Sequence, residues 1–212
     1  MSELRRLRRA GGSALRLLVE LLPPDWDPRP GDEDVSIIFA DVSGYSSYVA
    51  EAGDDAAMAV LDVLDRVVAV GTATHRQVRV VKRLGDGVML VARDSSSALD
   101  TATAMVESFD AQATKRGWPV RLRAGVHRGT TRRQNDDYFG YHVNLCARIA
   151  ETATGSQVLA TANVLAGVDL PDLDLVAGPA GELQAKGVAS PVDLFLVRRD
   201  PASAQSTGLL AG

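Results

Sequence analysis

Residues 78–92 read Val-Arg-Val-Val-Lys-Arg-Leu-Gly-Asp-Gly-Val-Met-Leu-Val-Ala. Two apolar runs rich in β-branched residues flank Gly85-Asp86-Gly87, where glycine supplies backbone angles that other residues avoid. The pattern predicts a hairpin with strands at Val78–Leu84 and Val88–Ala92. Upstream, Met58, Leu61, Leu64, Val67 and Val68 recur at helical spacing. Before them, Val35-Ser-Ile-Ile-Phe-Ala-Asp41 reads as a short buried strand, with Ser43 capping the helix that follows. Downstream, a helix over Ser97–Arg116 is ended by Gly117, and a strand over Val120–Gly129 comes next. The order is β-α-β-β-α-β, which is a ferredoxin-like α+β core. A polar loop at Thr130–Asp137, a helix from Tyr141 to Ala153 and strands near Val158, Leu173–Val176 and Val192–Val197 extend it. The fold class is therefore α+β, a βαββαβ core with an extra C-terminal helix and strands.

Apolar residues make up 46% of the 212 residues and charged ones 24%, enough apolar side chains for a sizeable core. The net charge of −4 argues against a nucleic-acid partner. No apolar run approaches the roughly 20 residues that span a bilayer. Cys146 is the only cysteine, so an intrachain disulfide is impossible. That fits a reducing, cytoplasmic setting. Residues 1–34 read as an N-terminal amphipathic helix and linker. Arg5, Arg6, Arg8 and Arg9 precede a leucine-rich stretch, but Arg16 and Glu20 interrupt it and Pro23-Pro24 follows without a cleavage pattern. Such a helix suits packing, dimer contact or peripheral contact with an anionic membrane surface. Residues 35–198 form the folded domain, and 199–212 a small, polar, disordered tail.

Several residues sit oddly for purely structural roles. A carboxylate at Asp41, ending a buried strand, is costly unless it is paired or binds a cation. The first and third strands of a ferredoxin-like sheet are neighbours, so Asp41 and the hairpin residue Asp86 can converge. Two such carboxylates make a hard-cation site of the magnesium type. The plainer alternative has Asp41 capping the next helix and Asp86 as a turn residue. Strand alternation puts Val78, Val80, Lys82 and Leu84 on one face and Arg79, Val81 and Arg83 on the other. Lys82 then either snorkels to water or donates to a ligand. Asn144 and Arg148 are four apart on a helix and share a face, which is either solvated or functional.

Four stretches together resemble the class III nucleotidyl (adenylate/guanylate) cyclase catalytic domain. They are Phe39-Ala-Asp41-Val-Ser-Gly44-Tyr, Lys82-Arg-Leu-Gly85-Asp86-Gly87, Asp137-Tyr-Phe-Gly140-Tyr-His-Val-Asn144-Leu-Cys-Ala-Arg148, and Lys186-Gly-Val-Ala-Ser-Pro191-Val. The resemblance implies an adenylate cyclase that turns ATP into cyclic AMP and pyrophosphate. It implies that Asp41 and Asp86 hold two divalent cations, Mg2+ or Mn2+, and that backbone N–H groups around Gly44 cradle phosphates. Lys82 and Asp137 would read the adenine, Asn144 would orient the ribose, Arg148 would stabilise the transition state and Lys186 would contact the triphosphate. Guanylate-forming relatives typically carry glutamate and cysteine in place of Lys82 and Asp137. The resemblance also implies a homodimer whose metal residues come from one chain and whose base-reading and transition-state residues come from the other. By the same resemblance, Arg132 or Arg133 would reach the phosphates.

Two rival readings exist. A catalytically silent, cyclase-like regulatory or binding domain usually loses a metal aspartate or the Asn/Arg pair, and this chain keeps them. A polymerase palm would need a nucleic-acid surface, and a cyclic-dinucleotide synthase would need a different turn from Gly85-Asp86-Gly87-Val88.

Overall fold

A computed structural model describes residues 31–184 and 190–203. The N-terminal amphipathic helix, Lys186 and most of the C-terminal tail lie outside the described residues. The elements, in chain order, are β1 (Gly31–Ser43), α1 (Tyr45–Ala52), α2 (Asp54–Thr74), β2 (Val78–Leu84), β3 (Gly87–Ala92) and α3 (Ser95–Lys115). Then follow β4 (Arg121–Gln134), β5 (Asp137–Phe139), α4 (Tyr141–Thr152), β6 (Val158–Thr161) and α5 (Ala162–Leu165). A 3-10 turn at Pro171–Leu173, β7 (Leu175–Leu183) and β8 (Val192–Arg199) complete the fold.

One eight-stranded sheet runs β2-β3-β1-β4-β6-β8-β7, with β5 paired to β4 off this path. Its first four strands have the ferredoxin-like order, and β1 is antiparallel to both β3 and β4. Alternation along the strands divides the core into two faces. Ile38, Ala40 and Val42 of β1, with Leu90 of β3 and Val126 of β4, pack against Val60, Leu64, Leu99 and Phe109 of α2 and α3. Val35, Ile37, Met89 and Val91 point the other way, against Tyr138, Val143 and Cys146. Each fully buried aliphatic side chain stabilises by roughly 1.5–3 kcal/mol, and a slip of one residue would expose a whole row of them. The β1 register is thereby fixed, and with it Asp41.

Four expectations need correction. The stretch Thr130–Gln134 is strand, not loop. It pairs with β1 down to Gly31, four residues before the expected strand start, and β5 folds back on it. Thr131 and Arg133 are buried while Thr130, Arg132 and Gln134 are exposed. The period of two is present, but polar residues carry it, so it left no apolar signature. Met58 is 57% exposed, and Val60 and Val63 take the core positions of α2. The expected strand at Leu173–Val176 begins at Leu175 and continues to Leu183. Finally, Ser43 belongs to β1 and does not cap α1. Gly44 does, with φ 84, a left-handed conformation favoured by glycine.

The helix α4 lies unusually close to the sheet. A Cβ on Gly125 of β4 would meet the Ala150 backbone nitrogen at 2.4 Å. Only glycine allows that approach, and it seats the helix carrying Asn144 and Arg148 on the strand that carries Arg123.

Candidate active site

Asp41 lies opposite Gly87 in the β1–β3 ladder, and the Val42 N–H donates to the Asp86 carbonyl at 3.2 Å. The hairpin turn thus places Asp86 beside Asp41, as expected from strand order. Asp41 is not a helix cap, because Gly44 holds that position and α1 has no side-chain cap. Burial holds the Asp86 carboxyl above the usual carboxylate range. Its own backbone N–H opposes the rise, and the nearby charge of Asp41 adds to it. Asp41 itself is gripped by Arg123, whose Nε and Nη2 donate to its two oxygens at 2.6 and 2.9 Å. The remaining Arg123 nitrogen, Nη1, donates to the carbonyls of Glu151 and Ala153 at the end of α4.

This donor set fits a divalent cation of the magnesium kind. Burial and the nearby Asp41 charge disfavour the negative charge on Asp86, and a cation beside it would relieve both. Among the described residues no group of three or more His, Cys, Asp or Glu could hold a metal. Asp41 and Asp86 would supply two hard oxygen ligands to such an ion, with water and substrate phosphate completing its shell. Asp41, Asp86, Phe39 and Leu84 line one side of a cleft of about 190 Å³, and Ala147 and Glu151 of α4 line the other.

Lys82 pairs with Asp137 at 2.8 Å, a contact that strict alternation along β2 does not predict. A register shift between Val80 and Lys82 marks a bulge at Val81. Val80 packs with the α2/α3 face and Val81 with the opposite one. Lys82 then pairs with Met89 of that opposite face, and Arg83 turns back to an ion pair with Asp65 of α2. The expected grouping of Lys82 with Val78 and Val80 is thus overturned. The extra residue re-aims Lys82 toward β5, a known use of bulges beside functional sites. Its Nζ also lies 5.5 Å from the centre of the Phe139 ring. The Asp137 carboxylate accepts, through its other oxygen, from the Tyr138 N–H at 2.8 Å.

On α4, Asn144 and Arg148 are exposed. Arg148 is held at 2.6 Å by Glu151, which lines the cleft. Arg132 and Arg133 have other work. Arg132 pairs with Asp32, and Arg133 is buried against Glu33. Sequence reasoning missed Arg123, which lies opposite Asp41 in the β1–β4 ladder; β4 carries several other arginines, so nothing in the sequence singled it out. It also missed Tyr138, Glu33 and Arg79, which meet only in three dimensions.

Residues 29–197 match the sequence model of the Adenylate and Guanylate cyclase catalytic domain. The chain belongs to this family. The pH-sensitive adenylate cyclase MT1302 of Mycobacterium tuberculosis is 34% identical over 85% of this chain and 45% of the relative. An adenylate cyclase of Streptomyces coelicolor is 29% identical over 60% of the chain and 32% of its own length. The chain therefore spans less than half the length of these curated relatives. Among solved structures, the adenylyl cyclase CyaB from P. aeruginosa superposes with TM-score 0.69 at 19% identity, covering 81% of this chain and 98% of that one. An adenylate cyclase from Trypanosoma brucei, studied in its monomeric state, gives TM-score 0.70 at 21% identity over 84% and 92% of the two chains. At these identities the superpositions establish the α+β cyclase fold. Among the described residues no helix is long and apolar enough to cross a membrane.

Proposed function

We propose that this cyclase domain converts ATP into 3′,5′-cyclic AMP and pyrophosphate at sites shared between two copies of the chain. The observation that carries the choice of ATP is the Lys82–Asp137 pair, a donor and an acceptor held 2.8 Å apart. Adenine offers an acceptor at N1 and a donor at its 6-amino group, so it matches a lysine and a carboxylate side by side. Guanine presents the reverse and would leave both groups unsatisfied.

The chemistry is an intramolecular displacement. The ribose O3′ attacks the α-phosphorus, the bond to the β-phosphate oxygen breaks, and pyrophosphate departs. When bound, two divalent cations at Asp41 and Asp86 would offset polyphosphate charge and acidify the 3′-hydroxyl. The protein's own share is orientation and electrostatics. Asn144 orients the ribose and Arg148 faces the charge developing at the α-phosphoryl group. The backbone N–H groups after Gly44 open toward the phosphates at the end of the strand bearing Asp41. Lys186 contacts the triphosphate. In one chain Arg148 pairs with Glu151 and Asp41 with Arg123. Both groups act on substrate once a partner chain brings its complementary half across the cleft. The reaction draws on cytoplasmic ATP.

Purified chain incubated with ATP or GTP, and with Mg2+ or Mn2+, tests the proposal by identification of the product. Cyclic AMP from ATP, with little cyclic GMP from GTP, is the expected outcome. Absence of any cyclic nucleotide under all four conditions would remove the enzymatic reading.

A further inference from the structure

The strand β5 is only three residues long and pairs in the sheet with β4 alone. Yet it carries Asp137. So short an edge element frays unless a side chain anchors it. The next residue does so. Tyr138 is fully buried, with 0% exposure. Its hydroxyl donates to Glu33 Oε2 of β1 at 2.7 Å. The other Glu33 oxygen accepts from Arg133 of β4 at 3.2 Å. The guanidinium carbons of Arg79 and Arg133 lie 5.3 and 5.8 Å from the Tyr138 ring centre. Cation–ring contacts of this kind strengthen when removed from water. Three strands, β1, β2 and β4, thus converge on one aromatic ring.

The arrangement is coupled to the purine-reading pair in two ways. Tyr138 is covalently adjacent to Asp137, and its N–H holds one oxygen of that carboxylate. Arg79 and Lys82 both rise from β2, and the bulge at Val81 turns Lys82 to the side on which Arg79 meets Tyr138. One strand therefore holds both members of the Asp137-Tyr138 dipeptide. We propose that Tyr138, clamped by Glu33, Arg79 and Arg133, is a positioning residue that keeps the Asp137 carboxylate in register with Lys82 and thereby sets the preference for a 6-aminopurine over a 6-oxopurine nucleotide. The inference rests on the cyclase reading above.

The test is the ratio of kcat/KM for ATP to that for GTP in wild type, Tyr138→Phe and Tyr138→Leu. Tyr138→Phe keeps the ring under both guanidinium groups and loses the hydroxyl's bonds to Glu33 and Arg79. A misplacement of about 1 Å can cost on the order of a hundredfold in rate. The ratio is expected to fall roughly tenfold in Tyr138→Phe, and further in Tyr138→Leu, mainly through loss of ATP turnover. A ring that merely filled the core would lower both substrates in parallel and leave the ratio alone. An unchanged ratio in Tyr138→Phe overturns the inference and leaves the cyclase reading intact. A wild-type chain that makes no cyclic nucleotide removes that reading, and this inference with it.

Discussion

Arg123 and Asp41 form a two-pronged ion pair across β4 and β1, with both carboxylate oxygens bonded at 2.6 and 2.9 Å. The same guanidinium reaches two carbonyls at the end of α4. It therefore ties the acid pair to the helix that carries Asn144 and Arg148. Lysine keeps the charge but cannot reproduce the planar fork. Arg123→Lys is expected to lower cyclic AMP formation about tenfold and stability by roughly 1–2 kcal/mol. Rate assays and denaturant melts on one preparation check both. Wild-type turnover in Arg123→Lys would show that the fork is dispensable.

The proposed purine-reading role of Lys82 and Asp137 predicts a directed change of substrate. In Lys82→Glu with Asp137→Cys, an acceptor faces the purine N1 position and a weak donor the 6-position. That complements guanine. ATP turnover is expected to fall by about 100-fold or more, with GTP becoming the better substrate. Parallel kcat/KM measurements decide. A double variant that still prefers ATP would locate base selection elsewhere.

A buried histidine makes stability depend on pH. His127 bonds through Nδ1 to Thr161 and through Nε2 to His142, each at 2.8 Å. Burial, with His142 second, pushes its pKa down from 6.5 to about 4. Between those values the unfolded chain binds the additional proton, so stability rises with pH across the window. It is lost as pH falls from about 6.5 toward 4, by at most roughly 3 kcal/mol. Thermal melts between pH 7 and 4.5 should show a flatter acid decline in His127→Gln than in wild type. Identical slopes would exclude His127 as the cause.

Packing of α4 supplies a fourth expectation. A methyl on Gly125 meets backbone atoms of Ala150, which cannot rotate away as a side chain could. Gly125→Ala is expected to cost roughly 1–3 kcal/mol. Activity should fall further than stability alone explains, because Asn144 and Arg148 move with the helix. Cyclic AMP assays well below the melting temperature separate the two effects.

The parts of the fold visible in the sequence were those written in apolar side chains. The hairpin around Asp86 and the strand bearing Asp41 announce themselves as apolar runs, and the helix over the first face by its period. The convergence of Asp41 and Asp86 followed from strand order alone. What escaped was written in polar residues or in an insertion. The extension of β4 alternates Thr131 and Arg133 inward, so no hydrophobic pattern marks it. The bulge at Val81 lies within a run of valines, where one additional residue leaves no trace, yet it reverses the face on which Lys82 sits. The clamp on Tyr138 unites residues 33, 79, 133 and 138, a grouping that only folding reveals.

The measurement that tests the shared site most directly is complementation. Asp41→Ala and Arg148→Ala are each expected to be inactive but folded. When mixed, and allowed to exchange subunits, half of the dimers each regain one intact site, so activity should return to roughly a quarter of wild type. Lys82→Ala mixed with Arg148→Ala should recover almost nothing, because both lesions fall on the same half of each site. Failure of the first mixture to recover, with exchange demonstrated, would contradict a site assembled from two chains.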